Sequence, residues 1–115
     1  MTTLLIVDDS REMRQLIKSI LSKTCEKFFE CEDGDEVLAS FHTYRPDWVL
    51  MDVEMRRMDG IKATAELKLI HPDAKVIILT KYADAETREA AYDAGARYFV
   101  GKDDLLCLRA LIQAD

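Results

Sequence analysis

The sequence lacks the features of membrane, secreted and linker-rich proteins. Among its 115 residues are four glycines and two prolines, with no low-complexity segment and no apolar run long enough to cross a membrane. The N-terminal Met-Thr-Thr is followed by only four apolar residues before two aspartates, unlike a signal peptide. We therefore expect one domain over residues 1–115, located in the cytoplasm.

The chain also lacks the net positive charge that is typical of nucleic-acid binding. The net charge is -6, whereas phosphate contacts need clustered Lys and Arg. Cysteines are few as well: Cys25, Cys31 and Cys107 are odd in number and lack metal-ligand spacing. They are best interpreted as structural thiols in a reduced compartment, with Cys107 the one that can face solvent.

What the sequence does contain is an alternation of short apolar runs with helical patterns. The runs predict buried parallel strands at residues 4–7, 28–31, 48–51, 75–79 and 97–100. Right-handed crossovers then give a doubly wound (βα)5 domain of three layers. The order of the strands in the sheet is not readable from the pattern alone.

The helices are predicted from apolar residues that recur on one face. Their expected inward positions are Met13, Leu16, Ile17, Ile20 and Leu21; Val37, Leu38 and Phe41; Ile61, Ala65 and Leu69; Ala90, Ala91 and Ala94; and Leu105, Leu108 and Ile112. The fourth helix, about residues 85–94, has only the alanine stripe. We expect it to be weakly buried and the most mobile helix. The fifth helix is expected over residues 104–113.

A polar functional group follows four of the predicted strands: Asp9, Asp52, Thr80 and Lys102. Carboxyl ends of parallel strands line one edge of the sheet, which is where open α/β sheets bind ligands. Each group alone fits an ordinary role, such as a helix-start acid or a solvated amine. Two acids, a hydroxyl and an amine on one edge instead suggest phosphoryl chemistry on a carboxylate.

The ordered set of motifs resembles the receiver domain of two-component response regulators. The motifs are Asp8-Asp9, Asp52-Val53-Glu54-Met55 through Met58-Asp59-Gly60, Thr80, Ala94-Gly95-Ala96 and Lys102. The resemblance covers the whole chain. It implies a flavodoxin-like α/β fold with a five-stranded parallel sheet in the order 2-1-3-4-5.

By the same resemblance, the acids bind a divalent cation. Neighbouring carboxylates repel each other unless a cation compensates, and Mg²⁺ or Mn²⁺ suits oxygen ligands. The resemblance makes Asp9 and Asp52 direct ligands. It has Asp8 act directly or through water, and it adds the backbone carbonyl of Glu54.

The resemblance also implies a role for the protein in signalling. Asp52 would accept a phosphoryl group from a phosphohistidine of a sensor histidine kinase or phosphotransfer protein, with Lys102 and Thr80 neutralising charge. The domain would not be an enzyme, although slow self-dephosphorylation is expected. Thr80 and Phe99 would then switch the face formed by the fourth helix, fifth strand and fifth helix. That face would contact a downstream effector or a fused output domain, or form a homodimer.

Several positions depart from the usual receiver pattern. Asp103 follows Lys102 where many receivers have a cis proline, so we expect a trans peptide there. This Asp resembles receivers of LuxR-type regulators, as does the Thr80-Lys81-Tyr82 sequence. Arg56 replaces a common proline, which predicts a less constrained loop after Asp52.

Three residues near the expected path of water to Asp52 are large or charged: Glu54, Lys81 and Tyr82. We expect them to tune dephosphorylation.

Three other functions stay open at this point. A small phosphatase with an aspartyl intermediate is disfavoured, because such enzymes use Asp-x-Asp and a capping insertion. A flavodoxin-like electron carrier lacks support, because no Ser/Thr/Gly-rich phosphate loop follows the first strand. A degenerate receiver that acts as an interaction module without phosphorylation is kept open by Lys81 and Asp103.

Overall fold

The computed structural model describes residues 2–114, in which five strands alternate with five α-helices. The strands are β1 (Thr2–Val7), β2 (Cys25–Cys31), β3 (Trp48–Asp52), β4 (Val76–Thr80) and β5 (Tyr98–Gly101). The helices are α1 (Arg11–Ile20), α2 (Val37–Tyr44), α3 (Gly60–Ile70), α4 (Ala85–Asp93) and α5 (Cys107–Ala114), with a 3₁₀ turn at Gly34–Glu36 before α2. No helix among these residues is both long enough and apolar enough to span a membrane.

All strand pairs are parallel, and the sheet order is β2-β1-β3-β4-β5. The predicted flavodoxin-like order is therefore confirmed. Val7 lies opposite Met51, and Thr80 lies opposite Gly101. This register places the carboxyl ends of β1, β3, β4 and β5 at one edge, with the topological switch point between β1 and β3.

Strand alternation divides the core into two layers. One layer packs α2, α3 and α4 against the sheet, through residues such as Val7, Phe41, Met51, Leu67, Ile78 and Phe99. The other packs α1 and α5, through residues such as Ile6, Ile17, Leu50, Leu79, Leu108 and Ile112. Both faces of the sheet are covered by helices, which explains why every residue of β3 and β4 is buried.

Side-chain caps fix the start of three helices. The carboxylate or hydroxyl oxygens of Ser10, Asp59 and Asp84 accept hydrogen bonds from the backbone N–H three residues later, at distances of 3.2, 2.8 and 2.7 Å. Each cap lies in the loop after a strand with a functional end: Ser10 after β1, Asp59 after β3 and Asp84 after β4. The capped ends of α1 and α3 therefore hold the loops that carry Asp9 and Glu54.

The predicted inward face of the third helix is wrong. The buried residues of α3 are Gly60, Ala63, Thr64 and Leu67, whereas Ala65 is exposed and Leu69 is 83% exposed. The reason is a close approach at Gly60, where an added Cβ would lie 1.9 Å from the carbonyl oxygen of Asp52. The helix is docked by this glycine, and the positions three, four and seven residues later face the sheet.

The other helix predictions agree better with the structure. Leu105, Leu108 and Ile112 are buried as expected, and α4 buries only Ala91. Of the stripe on α1, Ile17 and Leu21 are buried, but Leu16 is 46% exposed. Strand β2 begins at Cys25, three residues earlier than predicted, and α5 begins at Cys107, three residues later than predicted.

Candidate functional site

The ends of β1 and β3 bring three carboxylates together. Asp8, Asp9 and Asp52 each offer an oxygen, and these oxygens all lie within 4.8 Å of one another. Asp8 and Asp52 are buried, whereas Asp9 is exposed. The carboxylate of Asp9 accepts no hydrogen bond from residues 2–114. The predicted acidic cluster thus has two fixed members and one open to solvent.

Lys102 spans the two buried acids. Its ammonium lies 3.0 Å from Oδ2 of Asp8 and 2.9 Å from Oδ1 of Asp52. When all groups are ionised, three carboxylates face one ammonium, which leaves an excess of two negative charges. A divalent cation matches this excess, and the all-oxygen donor set suits a hard ion.

Burial makes ionisation of Asp52 unfavourable. Desolvation raises the pKa of Asp52 to about 6, and the charges of Asp8 and Asp9 add to the rise, while Lys102 opposes it. Desolvation would lower the pKa of Lys102, but its bonds to Asp52 and Asp8 outweigh this and raise it. Lys102 therefore stays charged beside a carboxylate that another cation would help to ionise.

Every polar atom of Asp8 takes part in a hydrogen bond. Its N–H donates to the carbonyl of Cys31 at 3.1 Å, and its Oδ1 accepts from the N–H of Ser10 at 2.8 Å. Its Oδ2 accepts from Lys102, and its carbonyl oxygen accepts from Nη1 of Arg14 at 2.7 Å. The sequence pattern gave no indication of Arg14, because a charged helix residue is usually solvated.

Thr80 lies buried at the end of β4, beside Lys102. Its hydroxyl oxygen accepts from the N–H of Tyr82 at 3.0 Å, and its carbonyl accepts from the N–H of Lys102 at 2.8 Å. Phe99 is buried on the α4 side, with the guanidinium of Arg88 5.3 Å from its ring. Tyr98 packs on the opposite face, as strand alternation predicts.

A cavity of about 330 Å³ opens onto the acids. Its lining comprises Asp8, Asp9, Ser10, Met13, Asp52, Glu54, Lys81, Tyr82 and Lys102. Tyr82 is 61% exposed, and Glu54 and Lys81 are exposed as well. The three residues expected to tune water access therefore do stand at the entrance of this cavity.

The loop after β3, which Arg56 predicts to be less constrained, is hydrogen-bonded to the β2–α2 loop. Asp33 is 2% exposed, and its carboxylate accepts from the N–H of Arg57 at 2.9 Å and of Met58 at 2.8 Å. The guanidinium of Arg57 also forms a two-point pair with Asp35, at 2.7 and 3.1 Å. A buried carboxylate from the β2–α2 loop thus holds the backbone of the loop after β3.

Two smaller predictions concern the Lys102–Asp103 peptide, for which trans is confirmed, and the cysteines. The Lys102–Asp103 peptide is trans, since residues 2–114 contain no cis peptide bond. Cys25 and Cys31 are buried free thiols, and Cys107 is partly buried. Burial raises the pKa of Cys25 to about 11. These cysteines have the properties of structural residues.

Comparison with known proteins assigns the family. The profile of the response regulator receiver domain matches residues 4–113. The chemotaxis protein CheY of Halobacterium salinarum is 39% identical over 98 residues, covering 85% of this chain and 82% of that protein. The response regulator VraR of Staphylococcus aureus is 37% identical over 100 residues, covering 85% of this chain but 48% of that protein.

Solved structures agree with this assignment. CheY4 of Vibrio cholerae superimposes with a TM-score of 0.89 at 25% identity, covering 99% of this chain and 98% of that one. A LuxR-family response regulator from an Aurantimonas species gives a TM-score of 0.91 at 25% identity, covering 98% and 83%. The chain belongs to the receiver domain family of two-component response regulators.

Proposed function

We propose that this domain is a phosphoacceptor that carries its phosphoryl group on Asp52. The observation that carries the proposal is the environment of that carboxylate. It is buried at the end of β3, 2.9 Å from the ammonium of Lys102 and within 4.8 Å of two further carboxylates. An isolated buried acid has no such partners, and a structural salt bridge does not need three acids for one amine.

The acids are suited to hold Mg²⁺ or Mn²⁺. Asp9 and Asp52 would be direct ligands, Asp8 would act directly or through water, and the backbone carbonyl of Glu54 would add a fourth oxygen. When bound, the cation supplies positive charge that favours ionised Asp52 and neutralises phosphoryl oxygens. Asp9 supports this assignment, because its carboxylate accepts no hydrogen bond from residues 2–114 and Asp9 lines the cavity.

The proposed transfer forms one bond and breaks one. An Asp52 oxygen attacks the phosphorus of a phosphohistidine, a new P–O bond forms, and the P–N bond breaks as the imidazole leaves. Lys102 balances charge on the phosphoryl oxygens, and the Thr80 hydroxyl donates a hydrogen bond to one of them. The partner supplies the phosphoryl group, so Asp52 is a substrate and not a turnover catalyst, although slow self-dephosphorylation follows.

We further propose that phosphorylation changes the α4-β5-α5 face. Donation by the Thr80 hydroxyl to the phosphoryl group draws in the β4–α4 loop, which includes the Tyr82 N–H now bonded to that hydroxyl. Phe99 would respond through packing, because a phenyl ring has no hydroxyl to donate. The residues concerned include 84–92, Tyr98 and 105–111.

The partners are proposed from the family. Receivers of this family act with histidine kinases or phosphotransfer proteins and with output domains or effectors, and the α4-β5-α5 face also suits a homodimer. The net charge of -6 argues against direct nucleic-acid binding by this domain. A cytoplasmic location, and a single receiver domain over residues 1–115, remain predictions.

Phosphorylation can be tested directly. Incubation with acetyl phosphate and Mg²⁺ should add the mass of one phosphoryl group, as measured by intact mass spectrometry. The Asp52→Asn variant is the matched control and should gain nothing. If the wild-type protein also gains nothing, with Mg²⁺ or Mn²⁺ and with a second phosphodonor, the domain acts as an interaction module without phosphorylation.

A further inference from the structure

Arg14 is a buried arginine whose contacts are not explained by packing alone. It lies on α1, and its side chain is only 9% exposed. Its guanidinium donates from Nη1 to the carbonyl of Asp8 at 2.7 Å and from Nε to Oε1 of Glu30 at 2.9 Å. Its Nη2 also lies 3.8 Å from Glu32. The planar fork of arginine therefore ties the β1–α1 loop to strand β2.

The carbonyl that Arg14 holds belongs to the peptide unit that joins Asp8 to Asp9. This unit is planar, so the direction of its carbonyl fixes where the Cα of Asp9 lies. On the other side of Asp9, the N–H of Ser10 is fixed by its bond to Oδ1 of Asp8. Asp9 is therefore held between two anchored peptide units although its own carboxylate has no partner within residues 2–114.

We propose that Arg14 is a positioning residue for the divalent cation, acting through the backbone of Asp9. Building on the proposed function, Arg14 keeps the open carboxylate of Asp9 at the distance from Asp52 that two-point coordination requires. An unanchored aspartate would lose side-chain and backbone freedom each time the cation bound. Fixing the loop in advance removes that cost from binding.

A positioning role and a charge effect predict opposite results. The guanidinium carries a positive charge near the acids, and removing a positive charge should tighten cation binding if electrostatics alone decided the affinity. Removing a positioning residue should instead weaken it, by roughly tenfold or more for groups that orient metal ligands. The sign of the change therefore separates the two explanations.

The test is the Mn²⁺ affinity of Arg14→Met, measured from the electron paramagnetic resonance of free Mn²⁺ at a temperature where the variant is folded. Methionine keeps an apolar side chain of similar length but removes the guanidinium group. Glu30 keeps its pair with Lys18 at 2.8 Å, and Glu32, which loses its 3.8 Å contact with Arg14, is 75% exposed and therefore solvated by water. Glu30→Gln is the matched control, because it removes the ion pair and leaves the Asp8 carbonyl contact in place.

We expect Arg14→Met to bind Mn²⁺ more weakly by roughly tenfold or more, and Glu30→Gln to match the wild type. Phosphorylation by acetyl phosphate, at a temperature where the variant is folded without a cation, should slow at low Mg²⁺ and recover at saturating Mg²⁺; destabilisation does not produce this split when the protein is already folded. Unchanged or tighter binding by Arg14→Met overturns the proposal, as does equal weakening in Glu30→Gln. Wild-type protein that binds no Mn²⁺ would instead refute the proposed metal site itself.

Discussion

At the scale of single residues, three identical carboxylates occupy three different environments. Asp8 is saturated with hydrogen bonds, Asp9 is open to solvent, and Asp52 is buried with its pKa raised to about 6. These environments match different tasks. The hydrogen bonds of Asp8 fix its position, the open carboxylate of Asp9 suits the proposed cation ligand, and the desolvated Asp52 beside an ammonium suits the proposed nucleophile.

Tyr82 should influence how long Asp52 stays phosphorylated. Its ring is 61% exposed at the cavity entrance, while only its backbone N–H bonds to Thr80. The Tyr82→Ala variant keeps this N–H and removes the bulk, so water reaches the acyl phosphate more freely. We expect a measurably shorter lifetime by phosphate-release assay.

The matched control for this prediction is Tyr92→Ala, which removes an exposed tyrosine of α4 that does not line the acidic cavity. Its decay rate should equal that of the wild type. A Tyr82→Ala decay rate equal to that of the wild type would mean that the ring does not control the approach of water.

At the scale of structural elements, the β3–α3 loop is fastened to the β2–α2 loop through Asp33. Its carboxylate accepts hydrogen bonds from two backbone N–H groups, those of Arg57 and Met58. In Asp33→Asn the amide nitrogen cannot accept, so one N–H loses its acceptor. We expect the free energy of unfolding to fall by about 1–3 kcal/mol in urea titrations at pH 7.

The same variant has a defined pH dependence. Burial alone would raise the pKa of Asp33, but the N–H donors of Arg57, Met58 and Asp35 lower it. A lowered folded pKa means that the stabilisation is present above the unfolded pKa and is lost as pH falls through the folded value. The difference between wild type and Asp33→Asn should therefore shrink toward about pH 3.

Asp35→Asn is the control for the ion pair with Arg57. That pair is solvent-exposed, at 59% and 40% for the two side chains, and such pairs contribute about 0–1 kcal/mol. A loss as large as that of Asp33→Asn would show that the surface pair, and not the buried carboxylate, fastens the loop.

The sequence predicted the strands well, and with them the polar residues at their carboxyl ends. The reason is that each run of about four apolar residues is followed directly, or one residue later, by the polar residue in question. The strand order came from the resemblance, since periodicity carries no information on which strands are neighbours. The inward face of α3 was predicted wrongly because docking at Gly60, a contact with Asp52 in another element, sets the helix rotation. Arg14 and Asp33 were missed for the same reason, because their hydrogen-bond partners lie in other strands or loops and a pattern within one element does not show them.

At the scale of the whole molecule, cation binding should be coupled to stability. Any ligand that binds only the folded state raises the free energy of unfolding. Saturating Mg²⁺ should therefore raise the Tm of the wild-type protein relative to NaCl of equal ionic strength. Asp9→Asn should lose most of this response, whereas Asp93→Asn, on the exposed end of α4, should keep it.

Without Mg²⁺, Asp52→Asn should be more stable than the wild type. Burial raises the pKa of Asp52 to about 6, so its ionised form costs stability at pH 7.5. A neutral amide avoids that cost, so in urea titrations with chelator we expect the free energy of unfolding to be about 1–3 kcal/mol higher for Asp52→Asn.

For the Mg²⁺ prediction, an unchanged Tm for the wild type with and without Mg²⁺ would contradict the metal site.

The bond between Lys102 and Asp8 joins residues that are 94 positions apart. On a ribosome, the acids of β1 and β3 emerge long before the ammonium that sits between them. Until β5 has left the exit tunnel, Asp8 and Asp52 lack this counter-charge and the edge of the sheet that holds it. The acidic edge therefore gains the counter-charge of Lys102 only once β5 has been made, so a chain stalled before Lys102 carries Asp8 and Asp52 without it.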